Sequence, residues 1–331
     1  MKKQVINRVT RLDVEQMRLI TKVARLHHTQ SQRQSEIARK LGISQASVSR
    51  FLQLAEVHGI VRTIVVPPEG LYPGLEDGLM EAYGLDAVYV VDISASEVGV
   101  AHVLGAAAAA CLSSEFKCGP VLGLTSWSTT LREMAKQLLP HNSGVTKVVE
   151  MLGDLGSPML QHEAALATLQ MARALDAEAV FLRTPGVMPS AELLKVALSD
   201  AHIQTALRLL DKVDIAFIGV GPADFHGPLE EGDNFFSAGQ LAKVRGAGAV
   251  GQLHQRFIDA GGQPVKTELD QLVVGITLEQ LRNAGRRIAV AGGADKHVAL
   301  AAALAGKWIN VLVTDVNSAN YLMNTAAKGK S

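Results

Sequence analysis

Aromatic residues, cysteines and long apolar runs are all scarce in this 331-residue sequence. Phe, Trp and Tyr make up only 4% of the chain, which favours helices packed on parallel strands over an aromatic-rich β-sandwich. Cys111 and Cys118 are too few for a disulfide framework and lack CxxC spacing. No stretch reaches the roughly 18 apolar residues that a membrane span needs, and no such run follows the N-terminus as in a secretory signal. We therefore expect a cytoplasmic protein without metal or other cofactor.

Net charge is also absent, but the charges are unevenly distributed. The sequence holds 32 Lys and Arg against 32 Asp and Glu. Residues 1–66 contain twelve of the basic residues and only four of the acidic ones. This asymmetry predicts that only the N-terminal segment contacts a polyanion, although a solvated basic face would give the same count.

Residues 34–57 have the pattern of two short helices joined by a turn. Residues 34–41 place apolar side chains on one helix face. Gly42 can end that helix because glycine accepts positive φ, and Ser44 can cap the next one. The pattern predicts a helix-turn-helix motif; an ordinary helical hairpin is the alternative.

The second of these helices carries short polar residues near its N-terminus, as readout of base edges in a major groove requires. Residues 60–66 are expected to form a strand after it, in the position of a wing. The predicted DNA contacts are Arg33, Gln34, Ser44, Gln45, Ser47, Ser49 and Arg50.

Residues 67–74 hold three prolines and two glycines, so neither a helix nor a central strand is expected to continue through them. The sequence thus predicts a DNA-binding domain over 1–66, a linker over 67–74 and a second domain over 75–331. In that domain apolar strand-like runs alternate with helical segments, which predicts a doubly wound, mostly parallel α/β sheet. The expected strands are 87–91, 121–124, 147–152, 179–182, 215–220, 272–275, 288–291 and 310–314.

Ligands of such sheets bind beyond the carboxyl ends of the strands, and four loops there have suitable residues. Hydroxyl groups over 123–130 precede a helix and could hold a phosphate, or simply cap that helix. Residues 218–221 are small enough for close approach of a ligand. Asp259 could accept hydrogen bonds from ligand hydroxyls, and Lys296 would face an anion or, alternatively, solvent.

Together these residues resemble the SorC family of bacterial transcription regulators. The likeness extends over nearly the whole chain and includes Ser35–Ala38, Gly42–Ser44, Val48–Arg50, Gly123–Thr130, Asp214–Gly221, Gly251–Gly262, Val290–Gly293 with Lys296, and Leu312–Asp315. The resemblance implies a DNA-binding domain joined to an effector domain related in fold to glucosamine-6-phosphate deaminase and ribose-5-phosphate isomerase. It also implies a homo-oligomer, dimer or tetramer, that binds operator DNA and a carbohydrate or sugar phosphate.

The resemblance carries over to individual positions of the effector site. It implies that the loop at Ser128 holds phosphate and that Asp259 and Lys296 contact the sugar. The full predicted set is Gly123, Thr125, Ser126, Ser128, Thr129, Thr130, Asp154, Gly221, Asp259 and Lys296. The chain departs from the family pattern at Ser128, where glycine often follows the tryptophan, and at Gln252, where an acid often stands, with His254 and Gln255 nearby. These changes leave open whether the effector is phosphorylated.

The function expected from this evidence is that of a sugar-responsive transcriptional regulator without enzymatic activity. The alternative is an active sugar-phosphate isomerase or deaminase with a DNA-localising N-terminal segment. Such catalysis needs a positioned general base. His162, Glu163 and His226 are candidates, but none stands in a recognisable catalytic context.

Overall fold

The computed structural model describes residues 13–61, 68, 70–93, 99–115, 120–140, 143–224 and 234–328. The chain divides into two compact units, Met1–Val66 and Pro67–Ser331, here called the N-terminal unit and the C-terminal unit. Most of the predicted strand over 60–66 lies outside the described residues, as does His226. Within the described part of the chain, no helix is both long and apolar enough to cross a membrane.

The N-terminal unit is helical. Its elements are α1 (Val14–Ala24), a π-helical turn (Arg25–Thr29), α2 (Gln34–Leu41) and α3 (Gln45–Val57). The three helices pack around a small apolar cluster made by Val23, Leu26, Ile37, Val48 and Leu52.

Local sequence explains where α2 and α3 begin and end. Gly42 ends α2 with a left-handed φ of 63°, and the Ser44 hydroxyl caps α3 by accepting a hydrogen bond from the Ser47 N–H at 3.1 Å. These two features match the prediction. Ala46 is exposed, because it lies on the side of α3 opposite the buried Val48.

The C-terminal unit is built from ten helices and ten strands among the described residues. The helices are α4 (Pro73–Tyr83), α5 (Val100–Glu115), α6 (Thr129–Gln137), α7 (Pro158–Ala174), α8 (Ala191–Ala197), α9 (Ala201–Leu210), α10 (Ala238–Gly246), α11 (Leu278–Asn283), α12 (His297–Ala305) and α13 (Val316–Lys328). The strands are β1 (Ala87–Val91), β2 (Val121–Leu124), β3 (Lys147–Glu150), β4 (Glu178–Val180), β5 (Ile215–Ile218), β6 (Val220–Pro222), β7 (Ala249–Leu253), β8 (Arg256–Asp259), β9 (Arg286–Val290) and β10 (Val311–Asp315).

Seven of these strands form a parallel sheet in the order β1-β10-β9-β5-β2-β3-β4. Both faces of the sheet are covered. In β5, Ile215 and Phe217 pack into the apolar cluster on one face, while Ala216 and Ile218 pack into the cluster on the other. Burial on both faces explains why the strands are continuous apolar runs, and it confirms the predicted mostly parallel α/β architecture.

Three predicted elements of this unit differ in the structure. The predicted strand 215–220 is divided between β5 and β6, and β6 joins an unpredicted antiparallel sheet with β7 and β8. In the predicted strand 272–275, Leu272 ends a 3-10 helix, and Val273 and Gly275 form only isolated bridges. The helical segment between β4 and β5 is two helices, because the Asp200 carboxylate caps α9 by accepting from the His202 and Ile203 N–H groups.

The strand order creates one topological switch point that matters for ligand binding. β2 and β5 are neighbours, but the chain passes from β2 to β3 on one side and from β5 towards β9 on the other. The two connections therefore diverge and leave a crevice beyond the carboxyl ends of these strands, where open α/β sheets bind ligands.

Candidate functional site

A cavity of about 550 Å³ lies at this switch point. Its wall is formed by the loops that follow β2 and β5, by the β7–β8 hairpin and by the loop after β9, with Leu152, Leu155 and Leu160 adding an apolar side. This size and mixed lining are typical of pockets for small molecules. Among the described residues, no group of three or more His, Cys, Asp or Glu side chains could hold a metal ion.

The loop after β2 brings the N-terminus of α6 to the cavity. Ser128 and Thr129 line the cavity, and the Ser128 hydroxyl caps α6 by accepting from the Leu131 N–H. A Cβ at Gly219 would lie 3.2 Å from the Ser128 Cβ, so a glycine after β5 makes room for this serine. The partial positive charge at a helix N-terminus favours an anionic group of a ligand.

The loop after β9 carries Lys296 into the same cavity. The buried Asp315 carboxylate holds this loop by accepting from the Gly293 N–H at 2.9 Å. Burial opposes the charge of Asp315, but hydrogen bonds from Ser318 and Gly293 keep its pKa below the ordinary value. Lys296 is half-buried and forms no ion pair with any described carboxylate. Its ammonium group is therefore available to an anion.

The tip of the β7–β8 hairpin forms a third part of the wall. It consists of His254 and Gln255, which are 3% and 4% exposed. Both have left-handed backbone conformations, with φ of 51° and 61°, as a two-residue type I′ turn requires. The Gln252 amide oxygen supports the turn by accepting from the Gln255 N–H at 3.0 Å.

His254 is neutral at physiological pH. Burial, together with the nearby Arg256, lowers its pKa to about 3. Its Nε2 lies 2.7 Å from the Thr125 hydroxyl oxygen. That hydroxyl donates to the Phe217 carbonyl at 3.0 Å, so the imidazole donates through Nε2 and its Nδ1 carries only a lone pair. Nδ1 has no hydrogen-bond partner among the described residues.

Arg132 and Trp127 complete the polar lining near α6. The guanidinium group of Arg132 donates to the Trp127 carbonyl at 3.1 Å and lies 3.5 Å from the Glu163 carboxylate. Burial lowers the pKa of Arg132, and Glu163 partly opposes this shift. The charge of Arg132 is thus already engaged. The buried Trp127 Nε1–H, like His254 Nδ1, has no partner among the described residues.

Five of the ten predicted effector residues line the cavity: Thr125, Ser128, Thr129, Gly221 and Lys296. Ser126 and Thr130 are buried beside them. The other three have different surroundings. Gly123 lies inside β2 against Met151, Asp154 pairs with Arg183 at 3.1 Å, and Asp259 accepts from the Gln263 N–H at 2.8 Å.

Trp127 and Arg132 line the cavity but were not among the predicted contacts, and His254 and Gln255 were expected at the pocket only as departures from the family pattern. Arg132 could have been found, because it lies one helical turn after the predicted Ser128 and therefore on the same side of α6. His254 and Gln255 had a weaker signal. They are the two residues between two short strand-like segments, which is the spacing of a hairpin turn. Neither His nor Gln is typical of such a turn, however.

The predicted DNA contacts lie on α2 and α3 of the N-terminal unit. Gln45 and Arg50 are exposed on α3, and Ser49 is half-buried. The Ser47 hydroxyl is within 2.9 Å of the Ser44 hydroxyl, so both serines take part in the cap. Arg33, the residue before α2, is exposed, and Gln34 at the start of α2 is half-buried. An exposed arginine and glutamine near a helix N-terminus can reach base edges.

Comparisons with known proteins identify relatives over almost the whole chain. Residues 72–324 match the Sugar-bind family of sugar-binding domains. The deoxyribonucleoside regulator of Bacillus subtilis (strain 168) is 30% identical over 314 residues, which cover 95% of this chain and 99% of the relative. The sorbitol operon regulator of Klebsiella pneumoniae is 26% identical over 317 residues, covering 93% and 98%.

Solved structures agree with these relatives. The crystal structure of the full-length sorbitol operon regulator SorC from Klebsiella pneumoniae superimposes with a TM-score of 0.70 at 25% identity, covering 93% of this chain and 99% of that one. A DeoR family transcriptional regulator from Listeria monocytogenes superimposes with a TM-score of 0.66 at 26% identity, covering 76% and 98%.

Proposed function

The chain belongs to the SorC family of sugar-binding transcriptional regulators, and on this premise we propose that it binds operator DNA under the control of a carbohydrate effector. The observation that carries the proposal is the cavity at the β2–β5 switch point. It combines an available cation, a helix N-terminus and buried polar atoms that have no hydrogen-bond partner among the described residues. Such groups are costly to bury unless a bound molecule satisfies them.

In this proposal the N-terminal unit, residues 1–66, binds DNA as a helix-turn-helix domain, and residues 67–74 link it to the effector domain. α3 is the recognition helix, with Gln45, Ser49 and Arg50 towards the bases. Ser44 and Ser47 cap it, and Arg33 and Gln34 contact phosphates from α2. The excess of basic residues in this unit supports the assignment, because phosphate contacts dominate affinity for DNA.

The C-terminal unit binds the effector and assembles the chain into a homo-oligomer, dimer or tetramer. We infer a fold relationship to glucosamine-6-phosphate deaminase and ribose-5-phosphate isomerase from the doubly wound sheet. A symmetric oligomer would present its recognition helices to a palindromic operator. Effector binding then changes operator affinity only if the effector binds one arrangement of the oligomer more tightly than another.

We propose no catalysis in the cavity. His162 and Glu163, the described candidates for a general base, are exposed on α7, and Glu163 faces Arg132. His254 does line the cavity, but its low pKa makes it a poor proton acceptor at neutral pH.

A two-stage experiment tests the function. A thermal-shift screen of the full-length protein against sugars, polyols and their phosphates identifies the effector class, because a ligand of the folded state raises the melting temperature. Duplexes selected from a random library then report operator binding with and without the hit. We expect the hit to change operator affinity at least tenfold. Robust turnover of the hit, or no effect on DNA binding, would contradict the proposal.

A further inference from the structure

The hairpin tip at His254 and Gln255 is unusual in two ways at once. Type I′ turns are normally formed by Asn, Asp or Gly, because both central residues need positive φ. Here a histidine and a glutamine occupy them, with φ of 51° and 61°. Both are also almost completely buried, whereas hairpin tips usually lie in solvent. Backbone strain and burial of polar side chains together are typical of sites whose geometry serves binding.

The contacts of His254 show which of its atoms remains for a ligand. Nε2 is engaged with Thr125, 129 positions earlier in the chain, and this contact orients the ring. Nδ1 is left as an acceptor without a partner in the described structure. A fully deprotonated oxyanion such as a carboxylate or sulfate cannot satisfy a buried acceptor, because its oxygens also only accept. The acceptor requires a donor, such as a hydroxyl group.

We propose that His254 gives the cavity its selectivity for polyhydroxylated molecules over simple anions, by accepting a hydrogen bond at Nδ1 from a hydroxyl of the bound effector. This inference rests on the proposed function, since it concerns the same cavity. The cavity then has two ends with different chemistry. α6 and Lys296 attract an anionic group if one is present, while Trp127 and His254 offer one donor and one acceptor to uncharged hydroxyls.

The test compares His254→Gly with the wild-type full-length protein. Glycine accepts the left-handed conformation of this turn and removes the imidazole. The probes are D-glucitol 6-phosphate, D-ribose 5-phosphate, their unphosphorylated parents and inorganic sulfate, which has no proton to donate at neutral pH. Dissociation constants are measured by calorimetry. For every carbohydrate that the wild type binds, we expect about tenfold weaker binding by the variant. Affinity for inorganic sulfate should change less than twofold.

Asp176→Gly is the matched control, because Asp176 is also a non-glycine residue with positive φ, 53°, and does not line the cavity. It should leave every affinity unchanged. Should His254→Gly not fold, His254→Ala replaces it, since alanine has no side-chain acceptor.

The outcomes separate the two proposals. If the wild type binds carbohydrates and the His254 variants bind them equally well, or lose affinity for inorganic sulfate to the same extent, the assignment of His254 is overturned while the effector function stands. If no carbohydrate binds to the wild type, the proposed effector function fails and the assignment of His254 fails with it.

Discussion

The two units differ in the exposure of the polar residues that are their candidate functional residues. In the N-terminal unit, Gln45 and Arg50 are exposed on α3 and are not part of its apolar cluster. In the C-terminal unit, His254 and Asp315 are buried and are part of the hydrogen-bond network that shapes the cavity. DNA binding should therefore be separable from folding by single substitutions, whereas effector binding and folding share residues.

The largest effect on stability is expected at Gly262, where two backbone segments of the C-terminal unit are in close contact. Gly262 has a φ of 75°, and a Cβ there would lie 2.2 Å from the Gly306 nitrogen, so something must shift. Gly262→Ala should lower the free energy of unfolding by about 3 kcal/mol, measured by urea denaturation.

The neighbouring glycine provides the control. A Cβ at Gly261 would meet only the Asp259 carboxylate, at 3.4 Å. Gly261→Ala should change the free energy of unfolding by less than about 1 kcal/mol. Equal losses in the two variants would show that close packing against Gly306 is not the cause.

A second large effect concerns Glu150, at the carboxyl end of β3. Burial raises its pKa to about 7, although its carboxylate accepts hydrogen bonds from the Leu182 N–H and the Thr168 hydroxyl. The folded state thus holds this proton more tightly than the unfolded state. Stability from this group is present below the unfolded pKa, near 4.5, and is lost as the pH rises through about 7.

Glu150→Gln should remove this pH dependence, worth about 3 kcal/mol between pH 4.5 and pH 8. The measurement is the free energy of unfolding at several pH values, compared with Glu279→Gln, which alters an exposed glutamate. An unchanged slope in Glu150→Gln would mean that the carboxyl group titrates at its ordinary pKa.

Substitutions on the exposed face of α3 should change DNA binding and leave stability unchanged. Gln45→Ala and Arg50→Ala should each weaken specific operator binding by about 1–3 kcal/mol, measured by gel shift. The melting temperature and effector binding should stay unchanged. Arg18→Ala removes the same charge from an exposed position on α1 and should leave sequence preference intact. Loss of circular dichroism in both α3 variants would assign these residues to the core instead.

The smallest effect is expected at Lys296, where a substitution should weaken effector binding without affecting folding. Lys296→Gln should weaken binding of a phosphorylated effector about fivefold, or about 1 kcal/mol, without changing operator binding or stability. Lys307→Gln, an exposed lysine outside the cavity, is the control. Calorimetry that gives equal affinities for both variants would take Lys296 out of the site.

Much of the fold was predictable because it depends on neighbours along the chain. The bounds of β1 and β2 agree with the predicted runs 87–91 and 121–124, since strands buried on both faces are uninterrupted apolar segments. The small antiparallel sheet was missed. Its strands are short, and β6 and β7 contain glycines and partly exposed residues, so their pattern resembles that of a loop.

The candidate site was predictable only in part, for a related reason. Ser128 and Lys296 follow apolar strands directly, and the general rule for parallel sheets places them near one another. Asp259 also belongs to a strand, but that strand is part of the antiparallel sheet, and its carboxylate caps the following turn. Asp259 is not among the residues that line the cavity, so its ligand contact stays a prediction.

The sequence by itself determined the periodic elements, their caps and the family to which the chain belongs, because these follow from residues close together in the chain. Only the tertiary structure decided which loops share the cavity. The pairing of β2 with β5 creates the crevice, and the folded hairpin carries His254 to Thr125 across 129 positions. Contacts between such distant residues depend on strand order and packing, which local sequence patterns do not encode.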